Sequence, residues 1–260
     1  MCYYLGMEFC CLASGSKGNA YYLKSCDTEV LIDNGLSLAD IEKRLKSIGK
    51  NPSAIKAIFL THEHTDHVSG VVAFCVKYGA KLFVHKRARQ AIDFLAGKIA
   101  SQIEVFDLAD FYFEALTISP FLLSHDATFP VGFSFYSMGK KISILTDSGY
   151  VPEDAFESIS GSDLVVLESN YDLNMLITGP YPAKLKRRIS GEEGHLSNAD
   201  AAICAKRLVG TGTKTIVLAH LSEKNNLEEV ALNCTKAALG DKKVELCVSN
   251  QYKPTKLFIV

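Results

Sequence analysis

Short apolar runs, separated by turn-forming residues, fill the first sixty positions of the chain. The runs at 7–12, 20–24 and 28–32 predict three strands, with turns at 15–18 and 25–27. Between Ser37 and Ile48 the apolar residues recur at intervals of three and four, which predicts a helix that the Ser37 side chain caps. The continuous apolar run at 54–60 predicts a buried strand.

Helical spacing and further apolar runs alternate through the rest of the sequence. The spacing predicts helices at 66–78, 86–96, 198–208 and 227–239, and the runs predict strands at 130–136, 141–145, 164–167 and 215–218. This mixture favours an α/β fold in which two sheets are sandwiched between helices. A chain of 260 residues suits one large domain or two small ones, and because no linker interrupts it we predict a single domain over 1–260.

Composition narrows the class of protein. With 48% hydrophobic and 22% charged residues the chain has ordinary globular usage, and its formal net charge of -1 gives no global basic field for nucleic acid. No apolar run reaches the roughly 18–20 residues that a membrane span needs. Positions 1–7 lack the pattern of a signal peptide. We therefore expect a cytoplasmic protein whose eight cysteines are reduced and mostly buried.

One segment concentrates residue types that bind metals. Three of the seven histidines and one aspartate follow the strand predicted at 54–60, in an H-x-H-x-D-H motif over 62–67. Side chains two apart on an extended segment point the same way, so His62 and His64 can bind one ion together. As the chain turns into a helix, Asp66 and His67 can face a second ion. Solvated loop residues are the alternative, and four donors at this spacing favour metal binding over it.

This motif resembles that of the metallo-β-lactamase superfamily. One position before the motif and three positions after it extend the resemblance, and they occur in the same order as in that family. They are Asp33, His125, Asp147 and His220, each after an apolar run. The resemblance implies that Asp33 braces the metal-binding loop and that His125 ligates the first ion. It also implies that Asp147 bridges both ions and that His220 ligates the second. Alone, each is as readily a structural, surface or turn residue, and His85 matches no ligand of the family.

A four-layer αββα sandwich with a two-metal site is the structure that this resemblance implies. The ligands are then His62, His64, His125 and Asp147 for one ion, and Asp66, His67, His220 and the same Asp147 for the other. Nitrogen and oxygen donors suit zinc, manganese and iron alike. Two such ions lie about 3.5–4 Å apart and can hold a hydroxide between them, which is the expected nucleophile.

Two further residues favour phosphodiester chemistry. Glu168 ends an apolar run and His195 precedes the helix predicted at 198–208. Both resemble the pair with which nucleases of the superfamily protonate the leaving oxygen, and a histidine held by a carboxylate can act as a general acid near neutral pH. The alternative is a strand-end charge and a histidine that merely lies near a helix start. We predict Asp66, Glu168 and His195 as the catalytic residues.

Substrate contacts are expected from short segments, because the chain has no insert long enough for the clamp domain of the larger nucleases. One candidate is the loop 14–19, with Ser14 and Asn19. The other is the basic run Lys184, Lys186, Arg187 and Arg188, whose cations can hold a phosphate backbone. A solvated helix face is the alternative for such a run.

The segments 14–19, 168–170, 179–182, 194–198 and 220–226 together are similar to the YycJ/WalJ group of small metallo-hydrolases. That similarity implies 5′-to-3′ exonuclease activity, with DNA as the partner and two divalent ions as cofactors. A small-molecule hydrolase acting on a lactone, thioester or cyclic phosphodiester is the competing hypothesis, and a binding protein with a vestigial site is the third. The intact ligand set argues against the third, and a small-substrate enzyme would ignore the length of DNA and the concentration of salt.

Overall fold

The apolar runs form two seven-stranded sheets in the computed structural model, which describes residues 6–260 apart from the side chains of Phe94 and Ala96. The strands are β1 (Met7–Ala13), β2 (Ala20–Ser25), β3 (Thr28–Ile32), β4 (Ile55–Phe59), β5 (Lys81–His85), β6 (Ile103–Phe106), β7 (Phe111–Phe113), β8 (Leu116–Leu122), β9 (Val131–Ser137), β10 (Lys140–Leu145), β11 (Leu164–Glu168), β12 (Thr215–Ala219), β13 (Glu245–Val248) and β14 (Phe258–Ile259). The strand orders are β14-β1-β2-β3-β4-β5-β6 and β13-β12-β11-β10-β9-β8-β7.

Helices connect the strands and cover the outer faces of the sheets. They are α1 (Leu38–Ser47), α2 (Thr65–Val68), α3 (Val71–Tyr78), α4 (Asp93–Ile99), α5 (Glu153–Ile159), α6 (Leu173–Thr178), α7 (Ala183–Ile189), α8 (Asn198–Gly210) and α9 (Glu228–Leu239). Ser37 caps α1 as the sequence predicts, because its side chain accepts a hydrogen bond from the backbone of Asp40. The predicted αββα sandwich is confirmed.

The helix predicted at 66–78 is wrong as a single element, because the chain breaks between α2 and α3 at Gly70. A Cβ atom at Gly70 would lie 1.9 Å from the carbonyl oxygen of Leu36. The Gly70 N–H donates to the carbonyl of Asn34 at 2.9 Å. This contact with the segment after β3 takes the place of continued helix, and it fixes the short helix that carries Asp66 and His67.

The helix predicted at 86–96 is also wrong in its bounds, since α4 spans Asp93–Ile99 after a 3-10 turn at Gln90–Ile92. The N–H of Lys86 donates to the carbonyl of Phe106 on β6, and that of Ala88 donates to the carbonyl of His85. The Lys86 N–H therefore extends the pairing of β5 with β6, and the Ala88 N–H closes a turn. The helix begins only after these residues. Helical spacing of side chains does not reveal that use of the backbone.

The inner faces of the two sheets meet in an aromatic core. Phe59 of β4 stacks on Phe83 with ring centroids 4.8 Å apart, and it meets Phe133 and Phe135 of β9 edge-on at 6.1 and 5.6 Å. Edge-to-face pairs of this kind add about 0.5–1.5 kcal/mol each beyond the burial of area. The pairs join β4, which leads into the predicted metal motif, to the opposite sheet.

Parallel strands at the centre of both sheets end at the same side of the sandwich. β3 pairs in parallel with β4, and β10 with β11 and β11 with β12. Three candidate residues that follow these strands have left-handed backbones, namely Asp33 (φ 57°), Asp147 (φ 63°) and His220 (φ 57°). Aspartate and histidine tolerate this region better than most residues, and such strain clusters at functional sites.

The described residues also bear on the expected burial of the cysteines and on the expected lack of a membrane span. Four cysteines, Cys10, Cys11, Cys75 and Cys204, are buried, and the remaining three of the described part are partly exposed. Cys2 lies outside the described residues. Between residues 6 and 260 the structure contains no helix with both the length and the apolar character to cross a bilayer.

Candidate metal centre

The seven predicted ligands converge where the strands end, although they come from four distant parts of the sequence. His62, His64 and His125 bring one ligand nitrogen each to within 4.8 Å of one another. Asp66, His67 and His220 do the same with a carboxylate oxygen and two ring nitrogens. These two sets are called here the first and the second donor group.

Asp147 lies between the two donor groups. Its Oδ2 is 3.5 Å from Nε2 of His67, and its Oδ1 is 3.3 Å from Nδ1 of His220. The trio of His62, His67 and Asp147 also satisfies the 4.8 Å spacing of ligand atoms. A single carboxylate therefore reaches members of both groups.

Protein contacts hold Nδ1 of three buried histidines of the cluster. Nδ1 of His67 donates to Asp33 Oδ2 at 2.8 Å, and Nδ1 of His125 donates to the carbonyl of Gly194 at 3.0 Å. Nδ1 of His62 is 3.0 Å from the Thr61 hydroxyl, which itself donates to Asp33. Because Nδ1 of each ring is bound to the protein, Nε2 is the nitrogen positioned to ligate, as is usual for histidines at metal sites.

Several buried atoms of the cluster lack a hydrogen-bond partner within the described residues. They are Nε2 of His62, Nε2 of His220 and Oδ2 of Asp147. Burial and the neighbouring histidines lower the pKa of His62 well below its ordinary value. Buried polar atoms normally have a hydrogen-bond partner. These unpartnered nitrogen and oxygen atoms therefore fit the binding of divalent cations at this position.

Carboxylates dominate the electrostatics of the second donor group. Burial alone would lower the pKa of His67, but Asp33 and Asp147 outweigh it and raise that pKa to about 9. The pKa of His220 is likewise raised well above its ordinary value, because Asp147 and other carboxylates overcome burial. In the polypeptide itself these rings therefore hold protons that a bound cation has to displace.

Metal affinity is expected to rise with pH. Since the folded pKa of His67 is about 9, a proton leaves this ring on metal binding at any lower pH, and the affinity increases as the pH rises towards about 9. Competition of chelator-treated protein with a chromophoric chelator between pH 6.5 and 9.5, corrected for protonation of the chelator, measures this. An affinity independent of pH over that range would contradict the assignment of His67 as a ligand.

Asp33 occupies the bracing position that the resemblance implies. Its Oδ1 accepts from the Thr61 N–H at 2.9 Å and its Oδ2 from the Thr61 hydroxyl at 2.8 Å, in addition to His67. The side chain is fully buried. A single carboxylate thus orients the start of the motif and one ring of the second donor group.

Ser14 and Asn19 reach the site, but other residues of the chain already use their polar atoms. The Ser14 hydroxyl accepts from the His220 N–H at 2.8 Å and lies 3.1 Å from the Tyr21 hydroxyl. Nδ2 of Asn19 donates to Asp66 Oδ2 at 3.2 Å and lies 3.0 Å from His67 Nε2. The geometry gives both side chains a positioning role at the second donor group, while substrate contact by either stays a prediction.

Glu168 and His195 form the predicted pair beside the donor groups. Oε1 of Glu168 accepts from Nδ1 of His195 at 2.7 Å, and its Oε2 accepts from the Ser148 N–H at 2.8 Å. Burial would raise the pKa of Glu168, but His195 and His220 hold that pKa well below its ordinary value. The carboxylate is therefore ionised and keeps the His195 ring oriented towards the cluster.

The sequence did not reveal that Glu168 is shared. Its Oε1 also lies 3.2 Å from Nδ1 of His220, so one carboxylate contacts both His195 and a donor histidine. Asn170 adds a further support that sequence analysis missed, since its Nδ2 donates to the carbonyl of His220 at 2.6 Å. Its position two residues after Glu168 on a strand end is the signal that could have indicated it.

The basic run lies on α7, whose cations differ in their contacts. Nζ of Lys186 donates to the carbonyl of Ile177 at 2.6 Å. Arg188 forms a two-point ion pair with Asp126, the residue after His125.

His85 lies apart from the donor groups, where it is buried and stacks on Phe129 with centroids 3.9 Å apart. This buried position outside the donor groups agrees with the lack of a match between His85 and the ligands of the family.

Comparison with known proteins identifies similar chains and folds. The model of the beta-lactamase superfamily domain matches residues 28–221. The chain is 37% identical over 231 residues to exodeoxyribonuclease WalJ of Streptococcus pneumoniae serotype 2, covering 87% of this chain and 86% of that protein. It is 35% identical over 240 residues to exodeoxyribonuclease YycJ of Bacillus anthracis, covering 92% and 91%. The metallo-beta-lactamase fold protein YhfI of Bacillus subtilis has a TM-score of 0.74 at 15% identity, with 96% and 99% covered.

Proposed function

The chain belongs to the metallo-β-lactamase superfamily and is a metal-dependent hydrolase, and from this premise we propose that it is an exodeoxyribonuclease. The observation that carries the proposal is the Glu168–His195 pair, 2.7 Å across, beside two donor groups. Relatives at 35–37% identity over most of the chain bear that enzyme name. The proposed direction of digestion is 5′ to 3′, as the similarity to the YycJ/WalJ group implies.

The proposed cofactors are two divalent ions, with zinc, manganese and iron all compatible with the donors. His62, His64 and His125 would hold one ion, Asp66, His67 and His220 the other, and Asp147 would contact both. When bound, such ions act as Lewis acids on a phosphate and make water more acidic. The support is the set of unpartnered buried atoms, Nε2 of His62, Nε2 of His220 and Oδ2 of Asp147, together with the protein contacts that hold Nδ1 of His67 and of His125.

The role proposed for His195 is to give a proton to the leaving oxygen. Its Nδ1 is bound to the ionised Glu168, so the carboxylate fixes the orientation of the ring and leaves Nε2 as the atom that would give the proton. The His195 side chain is 16% exposed, whereas that of Glu168 is fully buried. The ring is thus accessible to a substrate while its partner is shielded from water.

Digestion of linear and closed circular DNA of the same sequence tests the proposal. Metal-loaded protein is expected to release nucleotides from linear DNA and to leave circular DNA intact, and a chelator should stop the reaction. Cleavage of circular DNA would show an endonuclease. Hydrolysis of lactones, thioesters or cyclic phosphodiesters without any action on DNA would favour the small-molecule hypothesis instead.

The basic run on α7 is expected to make the affinity for DNA depend on salt. Each phosphate contact releases condensed counterions, so the logarithm of affinity falls with the logarithm of salt by roughly 0.7–0.9 per contact. The triple change Lys186→Ala, Arg187→Ala and Arg188→Ala should raise KM for DNA and flatten this slope. It should barely change hydrolysis of a small phosphodiester.

A second basic cluster supplies the matched control for that test. Lys86 pairs with Asp107, Arg89 pairs with Asp93, and Arg87 lies over the Phe129 ring at 4.6 Å. Changing these three cations to alanine removes the same charge from another surface and should leave the slope as in the wild type. Equal slopes in both triple variants and the wild type would show that the α7 run is a solvated face.

A further inference from the structure

A two-point ion pair lies against the first donor group. Arg188, at the penultimate position of α7, donates from Nε to Asp126 Oδ2 at 2.5 Å and from Nη2 to Asp126 Oδ1 at 3.0 Å. The same Oδ1 atom lies 3.4 Å from Nε2 of His125 and 4.0 Å from Nε2 of His64. A single carboxylate oxygen therefore separates the guanidinium from two donor nitrogens.

A neutral His125 ring does not hold the Asp126 carboxylate in this position. Nδ1 of His125 donates to the carbonyl of Gly194, so Nε2 of the neutral ring carries a lone pair and no proton. A lone pair and a carboxylate oxygen do not attract each other. Arg188 is the group that fixes the carboxylate beside the donor nitrogens, through both of its oxygens.

Arg188 belongs to the same segment as His195. The N–H of His195 donates to the carbonyl of Ile189 at 2.9 Å, and the N–H of Asp126 donates to the carbonyl of Glu193 at 3.1 Å. The hydroxyl of Ser124 donates to the carbonyl of Glu192 at 2.9 Å. Residues 188–195 therefore form a loop that the His195–Ile189 hydrogen bond closes and that hydrogen bonds hold against residues 124–126, so Arg188 and His195 belong to one fixed segment beside the donor groups.

We propose that Asp126 stands in for a phosphate of the substrate, and that on binding one phosphate replaces its carboxylate as the two-point partner of Arg188. The inference rests on the proposed function, because it needs a phosphate-bearing substrate. Carboxylate and phosphate present the same paired oxygens to a guanidinium. The side chains of Arg188 and Asp126 are 51% and 29% exposed, so this pair exchanges far more readily than a buried one.

The surroundings of Arg188 fit one phosphate rather than a track of phosphates. Arg188 lines a groove of about 430 Å³ together with Asp126, Arg187 and Gly191. Glu192 and Glu193, both exposed, line the same groove. Their negative charge opposes the approach of further phosphates, so we assign the exchange to the single phosphate nearest the donor groups.

Equilibrium binding of a 5′-phosphorylated DNA strand tests the exchange. The strand carries nuclease-resistant phosphorothioate linkages and a fluorescent label, and anisotropy is measured with the metal-loaded full chain. Arg188→Ala should weaken binding by about 10–100-fold, the effect of losing a charge-assisted pair of hydrogen bonds. Asp126→Asn should tighten binding by about two- to fivefold, since it removes a competitor held in an exposed ion pair.

The double variant separates an exchange from a general effect of charge. Asp126→Asn should not increase the affinity for the strand in a chain that already carries Arg188→Ala, because Asp126 then has no arginine for which to compete with the phosphate. The Arg207–Glu153 pair, a half-exposed pair between α8 and α5, is the matched control. Arg207→Ala and Glu153→Gln change the same charges and should leave binding as in the wild type.

Three outcomes would overturn the inference. A gain from Asp126→Asn that persists in the Arg188→Ala background would show only the removal of a negative charge. Weaker binding or lower metal content in Asp126→Asn, measured by elemental analysis, would show that Asp126 positions His125. A wild-type protein that neither binds nor degrades the strand would overturn the proposed function as well, whereas normal wild-type binding with additive variants would overturn the exchange alone.

Discussion

Replacing Asp147 by asparagine is expected to remove most of the metal affinity and, with it, hydrolysis. Removal of a residue that only orients a metal ligand lowers metal affinity by about 10–100-fold. Removal of a carboxylate that reaches both donor groups should therefore lower it by more than about 100-fold. Asparagine is the appropriate change because Asp147 has φ 63°, which asparagine tolerates. Elemental analysis and calorimetric titration with metal measure the loss.

Asp107→Asn provides the control for that experiment. Asp107 also contacts a buried histidine, since its Oδ1 lies 3.5 Å from Nε2 of His85, but that ring lies outside both donor groups. The control should bind metal and turn over substrate like the wild type. Full metal content and activity in Asp147→Asn would contradict a bridging role for this carboxylate.

Changing His195 to alanine should separate proton transfer from metal binding. Turnover of DNA is expected to fall by about 10²–10⁴-fold, the usual contribution of a general acid, while metal content stays unchanged. The loss should shrink for a nitrophenyl phosphodiester, whose leaving group needs no proton. Rates on DNA and on the nitrophenyl ester, with metal content measured in parallel, provide the test.

His220→Ala distinguishes the two histidines that share Glu168. Because His220 belongs to the second donor group, its removal should empty or weaken one metal position and slow both substrates. Loss of metal from the His195 variant would show that the two roles had been exchanged. Equal losses on good and poor leaving groups in that variant would refute the acid role.

The sequence predicted the contiguous part of the candidate site because its geometry is local. His62 to His67 follow a buried strand, and the alternation of an extended segment followed by a helix is sufficient to face these side chains one way. His125, Asp147 and His220 are too far along the chain for spacing to relate them. Their roles were inferred from a resemblance. The structure brings Asp147 and His220 to the same edge because β10 and β12 belong to one parallel run of strands, and His125 joins them because β8 runs in the same direction as β10, with antiparallel β9 between them.

Long-range contacts account for what the sequence could not predict. The helix expected at 66–78 breaks at Gly70, where the backbone approaches Leu36, a residue outside the pattern. The Arg188–Asp126 pair joins residues 62 positions apart. The sharing of Glu168 between two histidines likewise depends on how β11 and β12 pair. Such contacts arise from tertiary packing, which periodicity and composition do not encode.

Digestion of double-stranded DNA labelled at one 5′ end is the decisive test of the proposed exonuclease activity. Metal-loaded wild-type protein should release the 5′ label early as a mononucleotide and a 3′ label last, and Asp147→Asn should leave both labels in place. Intact DNA after incubation with fully metal-loaded wild-type protein that hydrolyses a small ester would contradict it.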